Sequence, residues 1–277
     1  MTTTTSTPTA PPTAAALDVR GVRVGYDGEV VCRDVDLSIV EGSYTAIIGP
    51  NACGKSTLLR AMARILPIAA GSVLLDGRDI ATLPTKQLAT HLGLLPQSSL
   101  APEGIRVADL VARGRYPHQR MFDRWSRDDE QAVLEALAAT ATTALSGRLV
   151  DELSGGQRQR VWLAMVLAQQ TPLLLLDEPT TFLDIAHQYG LLDLFQRLRA
   201  EHARTVVVVL HDLNQAARYA NHLIVMKDGA VVTAGSPAEV ITASLVEEVY
   251  GLPCRIEPDP ETGAPMVIPR AGSHPLR

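Results

Sequence analysis

The sequence is short of aromatic residues, of cysteine and of long apolar runs. Aromatics make up 4% of its 277 residues (2 Trp, 6 Tyr, 3 Phe), so any core must be built from aliphatic side chains. The 3 cysteines, Cys32, Cys53 and Cys254, lie far apart with no CxxC spacing. That excludes a disulfide framework and a zinc site, and suits a reducing compartment. The most continuous apolar stretches, Val161–Ala168 and Val206–Leu210, fall well below the roughly 20 residues a spanning helix needs. Positive charge is in deficit too: 25 Lys and Arg against 30 Asp and Glu, a net charge of -5. A protein living on non-specific contacts with nucleic acid is ordinarily basic, so no nucleic-acid partner is expected. The opening MTTTTSTPTAPPTAAA has neither a basic n-region nor an apolar h-region, so it does not read as a signal peptide. Its Thr, Pro and Ala cannot bury enough surface to offset ordering entropy, and residues 1–16 are expected to form a disordered tail. Residues 270–277 are expected to be a flexible end.

What is present between those ends alternates in character. Leu17–Tyr26 and Val30–Ile39 alternate apolar and polar residues about an Asp27-Gly28 turn signal, as half-buried strands do. Thr45–Ile48, Ser72–Leu75, Leu92–Leu95, Leu173–Leu176, Val206–Leu210 and His222–Met226 read as further strands. Helical spacing runs over Lys55–Leu66, with Leu58, Leu59, Met62 and Ile65 on one face, and over Ala186–Ala203 and Leu213–Tyr219. From about 98 to 170 the pattern is helical: Val107–Ala112, Arg127–Ala139 and Gly156–Gln169. Strands alternating with helices predict an α/β fold with a mostly parallel core sheet, an N-terminal antiparallel β portion and an inserted α-helical subdomain. A small α/β appendage follows Ser236.

Three short stretches carry chemistry. Residues 49–57, GPNACGKST, match the GxxxxGK[ST] phosphate loop: Gly49, Pro50, Asn51, Ala52, Cys53, Gly54, Lys55, Ser56 and Thr57. Backbone N–H groups of such a loop point inward at phosphate oxygens, and the helix that follows aims its positive end at the same anions. Lys55 adds a full charge, and the Ser56 hydroxyl is suited to Mg²⁺. Ala52 stands where a glycine would be more permissive; at positive φ an alanine costs up to about 1 kcal/mol. Cys53, inside the loop, is expected to be shielded from thiol reagents by bound nucleotide. LLLLDEP (173–179) is a buried strand with two carboxylates at its C-terminal end, the edge where open α/β sheets bind ligands. Asp177 there would hold Mg²⁺ and Glu178 would orient or deprotonate the attacking water, an effect of about 10²–10⁴ in rate. LSGGQRQR (153–160) places Ser154 as an N-cap before Gly155, Gly156 and Gln157, a helix start that can receive an anion.

Taken together and in order, these stretches resemble the ATP-binding subunit of an ABC transporter, and the resemblance covers about residues 17–269. It implies a P-loop NTPase of the ABC ATPase type, with 98–170 inserted in a RecA-like core. GPNACGKST looks like the Walker A loop, LLLLDEP like Walker B and LSGGQRQR like the signature sequence. The resemblance further implies that Tyr26 stacks on adenine and that Gln97 is the Q-loop glutamine, close to the metal with Ser56 and Asp177. It makes Asp184 part of the D-loop and His211 the switch histidine, catalytic with Glu178. ATP and Mg²⁺ are the implied cofactors. Two copies would sandwich ATP, with Ser154, Gly155, Gly156 and Gln157 of one facing the Walker A loop of the other.

GRYPHQRMFDRWSRDD (114–129), DEPTTFLDIAHQ (177–188), HDLNQAARYANHLIVMKDG (211–229) and YGLPCRIEPDPETGAPMVIP (250–269) are similar to the ferric-siderophore importers. That resemblance implies an ATP-hydrolysing motor bound to integral-membrane permease subunits at the cytoplasmic face of the plasma membrane, working indirectly with a substrate-binding protein. The related vitamin B12 and haem importers are the alternative, and a soluble iron–sulfur-assembly ATPase a more distant one. Arg113, Arg115, Arg120, Arg124 and Arg127, against the single Asp123, form a basic stretch expected to dock the permease.

Overall fold

The computed structural model describes residues 15–98, 100–119 and 125–272. Strands β1 (Ala15–Tyr26) and β2 (Glu29–Val40) form an antiparallel pair. They join through Asp27 and Gly28, both at positive φ (48° and 86°), the geometry a tight hairpin turn needs. β1 starts at Ala15, so it takes in the last two residues of the span expected to be a disordered tail. It is a central strand: Ala15 pairs with Val40 on one side and Leu17 with Leu75 on the other, which holds the backbone in register. The rest of that tail, and residues 273–277, lie outside the described residues.

The chain continues through β3 (Tyr44–Ile48), α1 (Lys55–Met62), β4 (Ala70–Leu75), β5 (Arg78–Asp79), α2 (Thr85–His91) and β6 (Leu92–Leu95). Three helices follow, α3 (Val107–Ala112), α4 (Arg127–Ala139) and α5 (Gly155–Ala168). Next come β7 (Leu173–Asp177), α6 (Ile185–His202), β8 (Thr205–Val209), α7 (Leu213–Tyr219), β9 (His222–Lys227) and β10 (Ala230–Gly235). A terminal piece of α8 (Pro237–Val240), α9 (Ala243–Tyr250), β11 (Cys254–Pro258) and β12 (Pro265–Pro269) closes the described chain.

One sheet has the order β2-β1-β4-β5 and is antiparallel; the other has the order β10-β9-β3-β8-β7-β6. The second is parallel from β9 to β6, with β10 antiparallel at its edge. Its inner strands are largely apolar because both faces are covered. Alternate side chains of each strand enter different cores. Ala46, Leu174, Leu176, Val206 and Val208 pack with α3–α7, whereas Ile47, Leu173, Leu175, Val207 and Val209 pack with α1 and the antiparallel sheet. β6 and β7 are parallel neighbours, and α3–α5 fill the connection between them, as the helical pattern over 98–170 predicts.

Several elements differ from the sequence reading, the two-residue β5 among them. α1 ends at Met62, not Leu66, because Arg64 turns to φ 57° and its guanidinium caps the Ile80 and Leu83 carbonyls (2.5 and 2.6 Å); Ile65 is left exposed. The sequence pattern predicts neither α2 nor β10. Each buries little, Leu88 alone in α2 and no fully buried residue in β10, so neither leaves a strong apolar period.

The basic stretch is also reassigned in part. Arg115 is buried, not available for docking: its Nε donates to Asp129 Oδ1 (2.9 Å), and its Nη1 donates to the Ala168 carbonyl (2.8 Å) and Gln170 Oε1 (2.9 Å). Asp129 also accepts from Ser126 in the capping box that starts α4. Arg115 thus ties the start of α4 to the end of α5. Arg113 and Arg127 are exposed, while Arg120, Arg124 and Asp123 lie outside the described residues.

Candidate active site

The phosphate loop leaves β3 at its C-terminal end and enters α1. Gly49 has φ 153°, and a Cβ there would stand 2.2 Å from the Met226 carbonyl oxygen of β9, so only glycine fits against the neighbouring strand. Gly54 has φ 102°, and a Cβ would meet the Cys32 sulfur at 2.8 Å. Ala52 does take positive φ, 61°, so the strain anticipated for it is present in the fold. The loop walls a cavity of about 870 Å³ together with Val31, Gln97, Glu178, His211 and Tyr250.

Lys55 folds back over the loop. Its Nζ donates to the Gly49 and Pro50 carbonyls at 2.9 and 2.7 Å, which holds both the loop and the ammonium in place. Lys55→Ala should therefore lose a charged phosphate contact of about 1.5–3 kcal/mol, or roughly 10- to 100-fold in ATP affinity. Equilibrium titration with a fluorescent ATP analogue measures it, and unchanged affinity would refute the assignment.

β7 delivers Asp177 and Glu178 to the same edge. Asp177 is fully buried; its Oδ1 accepts from Ser56 Oγ at 2.7 Å, while its Oδ2 is buried with no partner. Burial pushes its carboxyl above the ordinary aspartate value, against the opposing Ser56 hydrogen bond. An orphaned carboxylate oxygen beside a serine hydroxyl is a hard oxygen donor set, and it fits Mg²⁺. Removing the charge should stabilise the nucleotide-free fold: Asp177→Asn is expected to gain about 1 kcal/mol in urea unfolding with chelator present. The sign with pH follows. A raised folded value means Asp177 favours folding most below the ordinary aspartate value, and that contribution is lost as pH rises through the raised one. The variant should lack this slope; a destabilised variant would contradict the account.

Glu178 sits just past β7 at φ 50°, an uncommon backbone for a non-glycine residue that turns its side chain onto its neighbours. Its Oε1 lies 2.6 Å from His211 Nε2, and its Oε2 accepts from Gln97 Nε2 at 2.8 Å. Thr181 Oγ1 adds a longer contact at 3.4 Å. Glu178, His211 and Gln97, from three separate strand ends, therefore converge on one point of the cavity wall.

Other expected site residues stand elsewhere. Cys53 is buried (5% exposed) and does not line the cavity; its N–H bonds back to the Pro50 carbonyl at 3.4 Å. The fold thus already shields Cys53 from thiol reagents. Tyr26 is exposed at the end of β1, its hydroxyl accepting from Arg60 at 3.2 Å, and is absent from the cavity wall. Ser154, Gly155, Gly156 and Gln157 are likewise not in the wall. Ser154 and Gln157 form a reciprocal capping box at the start of α5. The two glycines face the loop after β7: added Cβ atoms would lie 3.6 Å from Phe182 Cβ and 3.2 Å from Leu183 Cδ2. Asp184 caps α6, accepting from the His187 N–H at 2.9 Å and pairing with its ring.

Two wall residues escape the sequence reading. Val31 comes from β2. Tyr250, the last residue of α9, reaches the loop from the terminal piece of the chain, and burial pushes its hydroxyl well above the ordinary tyrosine value. The segment YGLPC stands out in the sequence only by resemblance, and no local pattern marks Tyr250 as a site residue.

A strand-loop-helix phosphate cradle at the C-terminal edge of a parallel sheet, with Asp and Glu from the end of β7 two strands away, defines a P-loop nucleotide hydrolase. The family model for ABC transporters matches residues 32–181. The chain belongs to that family and binds and hydrolyses ATP.

Among curated relatives, the ferric enterobactin transport ATP-binding protein FepC of Escherichia coli (strain K12) is 52% identical, across 91% of this chain and 93% of its own length. The probable siderophore transport system ATP-binding protein YusV of Bacillus subtilis (strain 168) is 50% identical, across 92% of this chain and 93% of its own. A post-hydrolysis dimer of the ATP-binding cassette MJ0796, bound to ADP and Pi, superposes with a TM-score of 0.71 at 28% identity, over 79% of this chain and 98% of that one.

Proposed function

We propose that this chain is the ATP-driven motor of a ferric-siderophore importer, bound to a separate permease at the cytoplasmic face of the membrane. The observation that carries the cargo is its 52% and 50% identity to two ATP-binding proteins of siderophore transport over nearly their whole length. None of its described helices is long and apolar enough to cross a membrane.

The site supports a division of labour. Loop N–H groups and Lys55 bind the phosphates. Ser56 and Asp177 would hold Mg²⁺, with Gln97 close by, and the ion would offset the negative charge of the phosphoryl group in transfer. Glu178 orients the attacking water and receives its proton; His211 fixes Glu178 and the γ-phosphate side of the water. Tyr26, exposed beside the site, offers its ring to adenine. Ser154, Gly155, Gly156 and Gln157 stand outside the cavity with open glycine backbones, which suits them to the ATP of a second copy. Asp184 holds the adjoining loop in shape. A γ-phosphate contacted from both copies would favour the closed dimer, and its hydrolysis the open one.

Uptake of radiolabelled ferric siderophores by cells lacking this chain tests the reading. Import should be lost, restored by the wild-type gene and not by Glu178→Gln. Normal siderophore uptake in the deletion, with haem or vitamin B12 uptake lost, would move the cargo to the sister importers.

A further inference from the structure

A second cavity, of about 290 Å³, lies away from the phosphate loop, where the helical insert meets the core. Its walls come from α4, from the end of α5 with Gln170, and from the end of α6 with His202 and Arg204. Ordinary packing does not account for Arg204. Its Nη1 is buried and has no hydrogen-bond partner. Burial pulls its guanidinium below the ordinary arginine value, and the acid that shares the cavity wall with it is Glu135. Arg204 as a residue is half-buried, but a guanidinium does not escape by losing its proton, and the buried Nη1 without an acceptor carries a desolvation cost. The ends of α5 and α6 supply partial negative charge, which tempers that cost but gives Nη1 no acceptor.

Gln170 offers a further donor. The Gln170 Oε1 is taken by Arg115 Nη1 at 2.9 Å, which leaves its amide Nε2 as the free end. Gln170 itself is at φ 54° and Ala203, beside Arg204, at φ 50°, so the backbone at both edges is held in an uncommon conformation. The acidic residue of the wall, Glu135, has its Oε1 accepting from Gln131 Nε2 at 2.8 Å. Alanine and leucine side chains make up the remainder.

We infer that this cavity binds a small oxyanion, a carboxylate or phosphate group, on the Arg204 guanidinium, with Gln170 Nε2 and His202 as further donors. The guanidinium fork matches either group. Bridging α4 and α5 to the α6–β8 turn, the anion would fasten the insert to the core.

Thermal unfolding of the full chain, saturated with a non-hydrolysable ATP analogue so that the phosphate loop is filled, provides the test. Succinate and sodium phosphate are titrated separately at constant ionic strength. Near a hundredfold excess over Kd, the fitting anion should raise the wild-type midpoint by about 5 °C, and the arm that responds identifies the group. Arg204→Gln should abolish the response, and Glu135→Gln should strengthen binding several-fold by removing a like charge. The inference is overturned if neither anion shifts the wild type, or if Arg204→Gln responds equally. It is also overturned if Arg204→Gln alone is more stable while the wild type ignores both anions.

Discussion

Glu178→Gln should reduce ATP turnover by about 10²–10⁴ while leaving ATP affinity near wild type. Glu178 stands outside the phosphate cradle: the loop backbone comes from the β3–α1 connection, and Lys55 and Ser56 from the first turn of α1. What the substitution removes is a negative acceptor. In the wild type one carboxylate serves two partners, Oε1 facing His211 Nε2 at 2.6 Å and Oε2 accepting from Gln97 Nε2 at 2.8 Å. A glutamine can accept from one of them and must turn an N–H toward the other. It therefore keeps the side chain in place but loses the charge that we propose orients water and receives its proton. Steady-state phosphate release and equilibrium nucleotide binding, measured on the same preparation, separate the two effects. With binding intact and turnover blocked, ATP should also hold the protein in a lasting dimer on size-exclusion chromatography. Turnover near wild type would remove Glu178 from the mechanism.

Most of that site is legible in the sequence because its parts are local. The phosphate loop is nine consecutive residues between an apolar strand and an amphipathic helix, and Asp177-Glu178 directly follow four buried leucines. Strand and helix periods are strong there because both faces of the parallel sheet are covered. Features that depend on distant partners leave no such trace. Arg115 reads as one charge in a basic run; only the fold brings Asp129, Ala168 and Gln170 around it. Tyr250 reaches the loop because the chain returns there after β10 and α8. α2 and β10 bury almost nothing, so their patterns are set by solvent and turns, not by a core. Cys53, which its place in the motif suggests would face nucleotide, turns instead beneath the loop: a motif assigns the backbone path and not every side-chain direction.

Arg115 therefore carries the largest stability effect expected outside the inner strands. Arg115→Ala should destabilise the fold by about 3–5 kcal/mol, the range for breaking a buried ion pair by deleting one partner. The side chains of Arg115 and Asp129 are 6% and 8% exposed, so the remaining carboxylate would stay buried with Ser126 as its sole side-chain partner. The Ala168 carbonyl at the end of α5 would lose its donor as well. Lysine cannot replace the fork, since one ammonium does not span Asp129, Ala168 and Gln170, and Arg115→Lys should fall between. The double variant Arg115→Met, Asp129→Leu should be less damaging than Arg115→Ala, because it leaves no orphaned charge. A pH series gives an independent sign. Burial raises the Asp129 carboxyl, but hydrogen bonds from Arg115 and Ser126 outweigh it and hold the group below the ordinary aspartate value. Its contribution to stability is thus present above the ordinary value and lost as pH falls through the lowered one, and Arg115→Ala should flatten that acid-side decline. Urea unfolding across that range measures the three variants and the pH slope together. An exposed docking arginine would behave otherwise, shifting stability by no more than about 0.5 kcal/mol at any pH.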